Sequence, residues 1–310
     1  MRLPPALVLA VFVVLAGALP VQAQLQQEIA RIAAQAQGSV GVACALPGTK
    51  LDCAFHADVP RPMQSVYKLP TAMAAFHAIE QGKLRLDQRL RFLPSDIQAP
   101  DEYSPLKDAH PRGNVDVPLE DLLHGMVMQS DNVANDIVMR ALGGPAAANT
   151  YVHNLGITDI QIRDNEKTLN NDERLQERNT ATPRALIALL RLLADRSPLS
   201  PEHTKLILGW MTASPTGNTR IKAKLPSGTI VADKTGTSGA TRNVTNATND
   251  AALITLPDGR KLALVVLVAD VKAPFAARER VIAEIAKAVY DAAVTSQRTR
   301  SVASIATSGA

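Results

Sequence analysis

The sequence predicts an α/β (α+β) fold of two domains, an antiparallel sheet with flanking helices beside an all-helical domain. Three observations predict it. Strand signals occur near the start and then only late in the chain, a long stretch of helical periodicity separates them, and an amphipathic segment stands at each end. Residues 26–36 have the first helical pattern. Residues 39–46 and 51–55 alternate as strands, and the spacing predicts a hairpin about a two-residue Gly48-Thr49 turn. Helical patterns follow at 65–81, 118–127, 132–142, 182–193 and 201–213. Strands return at 229–235, 251–256 and 261–268, the last two joined by Pro257-Asp258-Gly259, and an amphipathic helix at 274–292 closes the pattern. The expected division is a discontinuous sheet domain of residues 24–57 and 210–295, a helical domain of 58–209, and a loose tail of 296–310 rich in Ser, Thr, Ala and Arg. A cleft between the two domains is the natural place for a site.

Arg2, the apolar run 6–19 and Val21-Gln22-Ala23 before Gln24 form the three parts of a cleavable export signal, with 1–23 removed. The run is shorter than the roughly 20 apolar residues a membrane span needs, so no stable membrane anchor is expected and the protein reads as secreted or periplasmic. Losing Arg2 lowers the formal charge from +4 to +3. That small, scattered excess, with aromatics at only 3%, offers no stacking or phosphate-binding surface, so nucleic acid is not an expected partner. The six histidines lie at 56, 77, 110, 124, 153 and 203, with no H-x-H or H-E-x-x-H spacing. Neither a metal nor another cofactor is expected, and a monomer is assumed.

Export makes the two cysteines a plausible pair. In the expected hairpin Cys44 lies opposite Cys53 in a non-hydrogen-bonded position, where a bridge is within reach. Two small buried thiols in adjacent strands fit the spacing equally well.

The chemistry lies in three short motifs. Ser65-Val66-Tyr67-Lys68 sets a hydroxyl at the start of a helix and an amine three residues on, so that both project from one face. The helix N-terminus favours developing negative charge and desolvation weakens the lysine's hold on its proton, which together activate a nucleophile. An S-x-x-K alone arises roughly once per chain of this size. Pro70 within the expected helix leaves the Val66 carbonyl without its usual donor. Ser130-Asp131-Asn132 sits between two helical patterns, and Lys234-Thr235-Gly236 ends a strand signal. All three motifs in this order are far more specific than any one of them.

Through these motifs, and over nearly its full mature length, the chain resembles the class A serine β-lactamases, whose fold is shared with the penicillin-binding transpeptidases. Glu166-Lys167-Thr168-Leu169-Asn170 matches that family's E-x-x-L-N, in which a carboxylate acts as general base on a water that the asparagine helps to hold. The resemblance implies a hydrolase that takes a small-molecule β-lactam through an acyl-enzyme on Ser65. Its catalytic residues are Ser65, Lys68, Ser130 and Glu166. Lys234 and Thr235, with Arg220 as a second cation, are to meet the substrate carboxylate; Arg242 competes for the place of Arg220. Asn132 is to bind the substrate's side-chain amide, Asn170 the water, and Tyr103 the cleft wall, unless Tyr103 is an ordinary half-buried tyrosine. The backbone N–H groups of Ser65 and Thr237 form the oxyanion hole. Trp210 reads as core. A penicillin-binding D-Ala-D-Ala peptidase or a secreted penicillin sensor carries the same three motifs without needing Glu166 or Asn170.

Two departures from the common family pattern stand out. Where most members pair an arginine with an aspartate at the neck of the Glu166 loop, the matching positions are Asp164 and Asn179, so Arg163 or Arg178 is expected to substitute. The stretch between Gly239 and Thr248 is longer than in narrow-spectrum members and, with Gln64 before the nucleophile, resembles the PER and VEB branch. That resemblance implies a widened cleft for oxyimino-cephalosporins.

Overall fold

The computed structural model describes residues 21–99, 102–238 and 247–307. The expected export signal lies almost wholly outside them. Helix α1 (Val21–Ala33) ends in a 3-10 turn and leads into β1 (Ser39–Ala45). The chain then leaves the sheet through β2 (Arg61–Pro62), α2 (Lys68–Glu80), β3 (Arg89–Phe92), α3 (Pro105–Ala109), β4 (Val115–Pro118), α4 (Leu119–His124), α5 (Asn132–Leu142) and α6 (Pro145–Asn154). Next come β5 (Ile160–Gln161), α7 (Glu166–Asn171), β6 (Thr180–Ala181), α8 (Pro183–Asp195) and α9 (Pro201–Ala213). It returns through β7 (Val231–Thr237), β8 (Thr248–Thr255) and β9 (Lys261–Ala269) to α10 (Phe275–Thr307).

The main sheet has the order β1-β9-β8-β7, antiparallel throughout. Alternate residues of β9 face opposite ways: Leu262, Leu264, Val266 and Val268 join the core beneath α1 and α10, while Ala263, Val265 and Leu267 join the core of the helical part. Both faces are therefore covered, which is why the strand reads as an unbroken apolar run instead of alternating with polar residues. The helices begin where their sequences supply a cap. Ser104, Asp131, Asn165, Thr182 and Ser200 each accept a backbone N–H of the first turn, ahead of α3, α5, α7, α8 and α9.

The expected hairpin is corrected. Residues 51–55 form no strand, and one bridge, Val42 to Phe55, keeps the expected register. Those two residues exchange both backbone hydrogen bonds (2.8 and 3.0 Å), so the register gives Cys44 and Cys53 the hydrogen-bonded phase, not the non-hydrogen-bonded one expected. The turn is centred on Pro47-Gly48, closed by Thr49 N–H to the Leu46 carbonyl, because Gly48 (φ +71°) takes the left-handed position that follows a proline. The cysteines are bridged, Cα–Cα 5.7 Å, stapling this segment across the open edge of β1. Closing so short a loop constrains the unfolded chain by about 3 kcal/mol. The double variant Cys44→Ala/Cys53→Ala is therefore expected to lose about that much stability in denaturant titration and to keep its activity; equal midpoints for both proteins would show that the bridge adds nothing.

Three other expectations change. α10 continues to Thr307 where a loose tail from residue 296 was expected, since no glycine or proline interrupts 295–307. The expected limit at 209/210 cuts α9, whose Ile207 and Met211 both belong to the core of the helical part. That part also holds short strands that the helical periodicity hid: β2, β5 and β6 form one small sheet, β3 and β4 a ribbon. Trp210 packs partly buried against Phe76 and His124, as a core residue.

Candidate active site

A 3-10 turn over Gln64–Tyr67 carries Ser65 into α2, and Lys68 is the first residue of the helix proper. This turn changes the reading of Pro70. Proline is the third residue of α2, in the first turn, where backbone N–H groups have no intrahelical partner to lose. Gln64 takes a left-handed φ of 49°, uncommon for a residue with a side chain, and so sets the nucleophile at a sharp bend. β7 lies against this bend: a Cβ on Gly236 would sit 2.3 Å from the Met63 carbonyl oxygen, so only glycine allows the strand to come so close.

Lys68 is fully buried. Its Nζ lies 2.9 Å from Ser65 Oγ, 2.8 Å from the Ser130 carbonyl and 2.9 Å from Glu166 Oε1, and it also donates to Asn132 Oδ1. An ammonium has three hydrogens for these four oxygens. A neutral amine at the same point could accept the Ser65 proton, with Glu166 also in reach.

Ser130 follows a single wide π turn (Gly125–Gln129) and is left-handed, φ 63°. Its carbonyl thereby meets Lys68 while its hydroxyl accepts from Lys234 Nζ at 2.8 Å, so one residue bridges both lysines. Lys234 lies within β7, which runs to Thr237, instead of at a strand end. Burial, then the charge of Lys68, lowers Lys234 to about 7. An ammonium with a lowered folded pKa costs stability below about pH 7, and the cost disappears as pH rises from about 7 to 10.5. In function the loss of charge works the other way. We expect kcat/KM to fall on an alkaline limb with an apparent pKa near 7 in the free enzyme, and Lys234→Arg, which does not titrate there, to move that limb upward. An unmoved limb in Lys234→Arg would assign it to another group.

Glu166 is buried and opens α7. The backbone N–H groups of Glu166 and Lys167 donate to Asp136 Oδ1 and Oδ2, both at 2.8 Å, so a carboxylate on α5 caps the helix that carries Glu166. Asn135 Nδ2 and Gln98 Nε2 also donate to Asp136, each at 3.1 Å. Asn170 is oriented by Gln176 Nε2 on its Oδ1 (3.1 Å) and by Gln98 Oε1 near its Nδ2 (3.5 Å). At the neck of the loop, Arg178 Nε lies 3.2 Å from Asp164, so Arg178 and not Arg163 supplies the substitute pair. Buried Asn179 does more: its Oδ1 accepts the N–H groups of Arg163 and Asp164, and its Nδ2 donates to the Asp164 carbonyl.

Ser65, Glu102, Tyr103, Ser130, Asn132, Glu166, Asn170, Arg220, Thr235 and Thr237 all line one cleft of about 650 Å³, with Lys68 and Lys234 buried in its floor. Tyr103 is 56% exposed, a wall residue and not a core one. Arg220 is already heavily engaged: Nη1 donates to the Gly236 and Asn249 carbonyls, Nη2 to Thr237 Oγ1 at 2.6 Å, and Nε to Glu279 at 3.2 Å. Its rival Arg242 lies outside the described residues, as does most of the long stretch after Gly239. A groove of about 700 Å³ between α1 and α10 is lined by paired charges such as Glu28/Arg31 and Lys287/Asp291, and no Ser, Thr or Cys is among its lining residues.

Residues 24–293 match the model of the beta-lactamase enzyme family. The chain belongs to that family. It is 35% identical over 266 residues to the extended-spectrum beta-lactamase PER-1 of Pseudomonas aeruginosa, covering 86% of each chain. With beta-lactamase VEB-1 of the same organism it shares 35% over 254 residues, 81% of this chain and 84% of that one. Among solved structures, a beta-lactamase from Chitinophaga pinensis superposes with a TM-score of 0.83 at 36% identity, over 87% of this chain and 99% of that one. TLA-1 extended-spectrum beta-lactamase superposes at 0.85 with 32% identity, over 89% and 100%.

For this β-lactamase the motifs missed two carboxylates that the structure brings to the site. Asp136 is one. Glu102 is the other: its Oε1 accepts from Asn132 Nδ2, and burial followed by the charge of Glu166 raises its pKa from the ordinary glutamate value. The sequence offered only their positions, four residues past Asn132 on one helix and next to Tyr103.

Proposed function

We propose that this β-lactamase hydrolyses the lactam amide of penicillins and cephalosporins, oxyimino-cephalosporins included, through an acyl-enzyme on Ser65. One observation carries the reading: a buried carboxylate, Glu166, stands 2.9 Å from the lysine that itself stands 2.9 Å from the Ser65 hydroxyl. Ser65 Oγ attacks the lactam carbonyl and gives its proton to Lys68 or, through water, to Glu166. The C–N bond breaks as Ser130 passes its proton to the departing nitrogen, and Lys234 beside it favours the transient alkoxide until the proton first taken from Ser65 is returned to Ser130. Glu166 then takes a proton from water, whose oxygen attacks the ester carbonyl; the C–O bond to Ser65 breaks as that proton returns to Ser65 Oγ, and the ring-opened acid leaves.

The backbone N–H groups of Ser65 and Thr237 serve as oxyanion donors, and Lys234, Thr235 and Arg220 as the carboxylate site. The five donors of Arg220 are nearly all used, so Lys234 is the stronger of the two cations for substrate. Asn132 meets the substrate's side-chain amide, Asn170 holds the water, and Tyr103 walls the side chain. The extended-spectrum names of PER-1 and TLA-1 support the oxyimino assignment. We further propose an exported, periplasmic monomer; among the described residues no helix is long and apolar enough to cross a membrane.

Nitrocefin tests the core of this reading. Sustained turnover is expected; one stoichiometric burst would mean a penicillin-binding peptidase or a sensor instead. For the wider range, kcat/KM for cefotaxime should be comparable to that for a simple cephalosporin, and a loss of several orders of magnitude would restrict the enzyme to small side chains.

A further inference from the structure

Lys107 is a buried cation that no step above uses. It lies in α3, only 6% exposed, in a chain whose other lysines away from the site mostly reach solvent. Its Nζ turns back into the loop before α3 and donates to the Ala99 carbonyl at 3.1 Å and the Glu102 carbonyl at 2.5 Å. The Glu102 N–H donates to that same Ala99 carbonyl at 3.0 Å, so the ammonium and this N–H share one acceptor. The far end of the loop is held by Asp131, which accepts Ser104 Oγ at 2.7 Å and Leu106 N–H at 2.6 Å. Between these anchors stand Glu102, whose carboxylate fixes the Asn132 amide, and exposed Tyr103.

We propose that Lys107 is a positioning residue for the substrate's acylamino side chain, holding the Glu102–Tyr103 wall of the cleft through contacts that include the Ala99 and Glu102 carbonyls. The inference rests on the β-lactamase reading above. The reacting groups hang on other supports: Ser65 and Lys68 on the turn into α2, Ser130 on the turn before α5, and Glu166 on α7. Asn132, which Glu102 orients, also accepts from Lys68, but Lys68 keeps Ser65, the Ser130 carbonyl and Glu166 as partners, so loosening the loop weakens grip on the side chain far more than it disturbs the ring chemistry. A buried ammonium is suited to this work because its three donors can serve several carbonyls at once, which no apolar side chain of that length can do.

The test is a pair of substrates with the same bicycle: benzylpenicillin, and 6-aminopenicillanic acid, which has no acyl group. Lys107→Met removes the hydrogen bonds to both carbonyls and is expected to raise KM for benzylpenicillin about tenfold, with kcat within about twofold. KM for 6-aminopenicillanic acid should stay within about twofold. Lys107→Arg keeps the charge and donors and should restore most of the benzylpenicillin KM; its smaller, equally selective shift decides the matter if Lys107→Met does not fold. An equal rise for both substrates, a matching fall in kcat, or no change in either KM would overturn the proposal. Turnover by the unaltered enzyme separates the two ideas: if it is absent, the parent reading falls and this one with it, whereas if it is present only the substrate ratio speaks to Lys107.

Discussion

Glu166→Ala is expected to acylate and then stop. With the carboxylate gone, Lys68 keeps Ser65 Oγ, the Ser130 carbonyl and Asn132 as partners, so the group that can take the serine proton remains beside the nucleophile. Water, in contrast, has lost its base. General-base catalysis by a placed side chain is worth about 10²–10⁴ in rate, so deacylation should fall by about that factor while the first equivalent of substrate is still consumed. Intact-mass spectrometry after mixing with benzylpenicillin should show the chain carrying one added substrate mass, and a nitrocefin trace should show one burst. Turnover at the normal rate would remove Glu166 from its role, and failure to acylate at all would make it the base for the first step.

Asp136→Ala should damage both stability and turnover. The change leaves three donors without their acceptor, the N–H groups of Glu166 and Lys167 and Gln98 Nε2, while Asn135 Nδ2 loses one of its two acceptors and keeps Tyr67 OH. Unserved buried donors cost about 1–3 kcal/mol each and water can rescue some, so a loss of about 2–4 kcal/mol in denaturant titration is expected. The start of α7 keeps its Asn165 cap but loses the carboxylate that binds the Glu166 and Lys167 N–H groups, so Glu166 is held less firmly against Lys68 and kcat falls with the stability. Asp136→Asn tests the electrostatics separately. Burial, then the charge of Glu166, raises Asp136 to about 7, although its hydrogen-bond partners are all donors and favour the ionised form. Because its folded pKa lies above the unfolded one, the folded state holds more protons between about pH 4 and 7, and this group's contribution to stability declines as pH rises through that window. Asp136→Asn should flatten that part of the stability profile. An unchanged slope would show that other carboxylates carry it.

The chemistry of the site was legible because its residues come as short motifs whose local geometry is dictated by neighbours in the chain. A hydroxyl and an amine three residues apart share a face on either a 3-10 or an α turn, so Ser65 and Lys68 meet whichever forms. The caps of α5, α8 and α9 could likewise be read from Asp131, Thr182 and Ser200, and the bounds of α5 and α9 agree with their periodicity. Where a local pattern was ambiguous, reading it alone went astray. The segment 51–55 alternates as a strand should, yet only one bridge to β1 forms, and the expected limit at 209/210 fell inside a helix.

Motif and periodicity were enough to name a nucleophile, its lysine, a general base and the class of fold. Packing alone chose the partners that hold them: Asp136 caps α7 from 30 residues away, Glu102 reaches Asn132 across another 30, and Arg178 instead of Arg163 meets Asp164. Such contacts depend on how whole helices and strands are placed against one another. A burial-dependent charge like that of Lys234 is set by the same placement, and neither leaves a period or a spacing in the chain to be read.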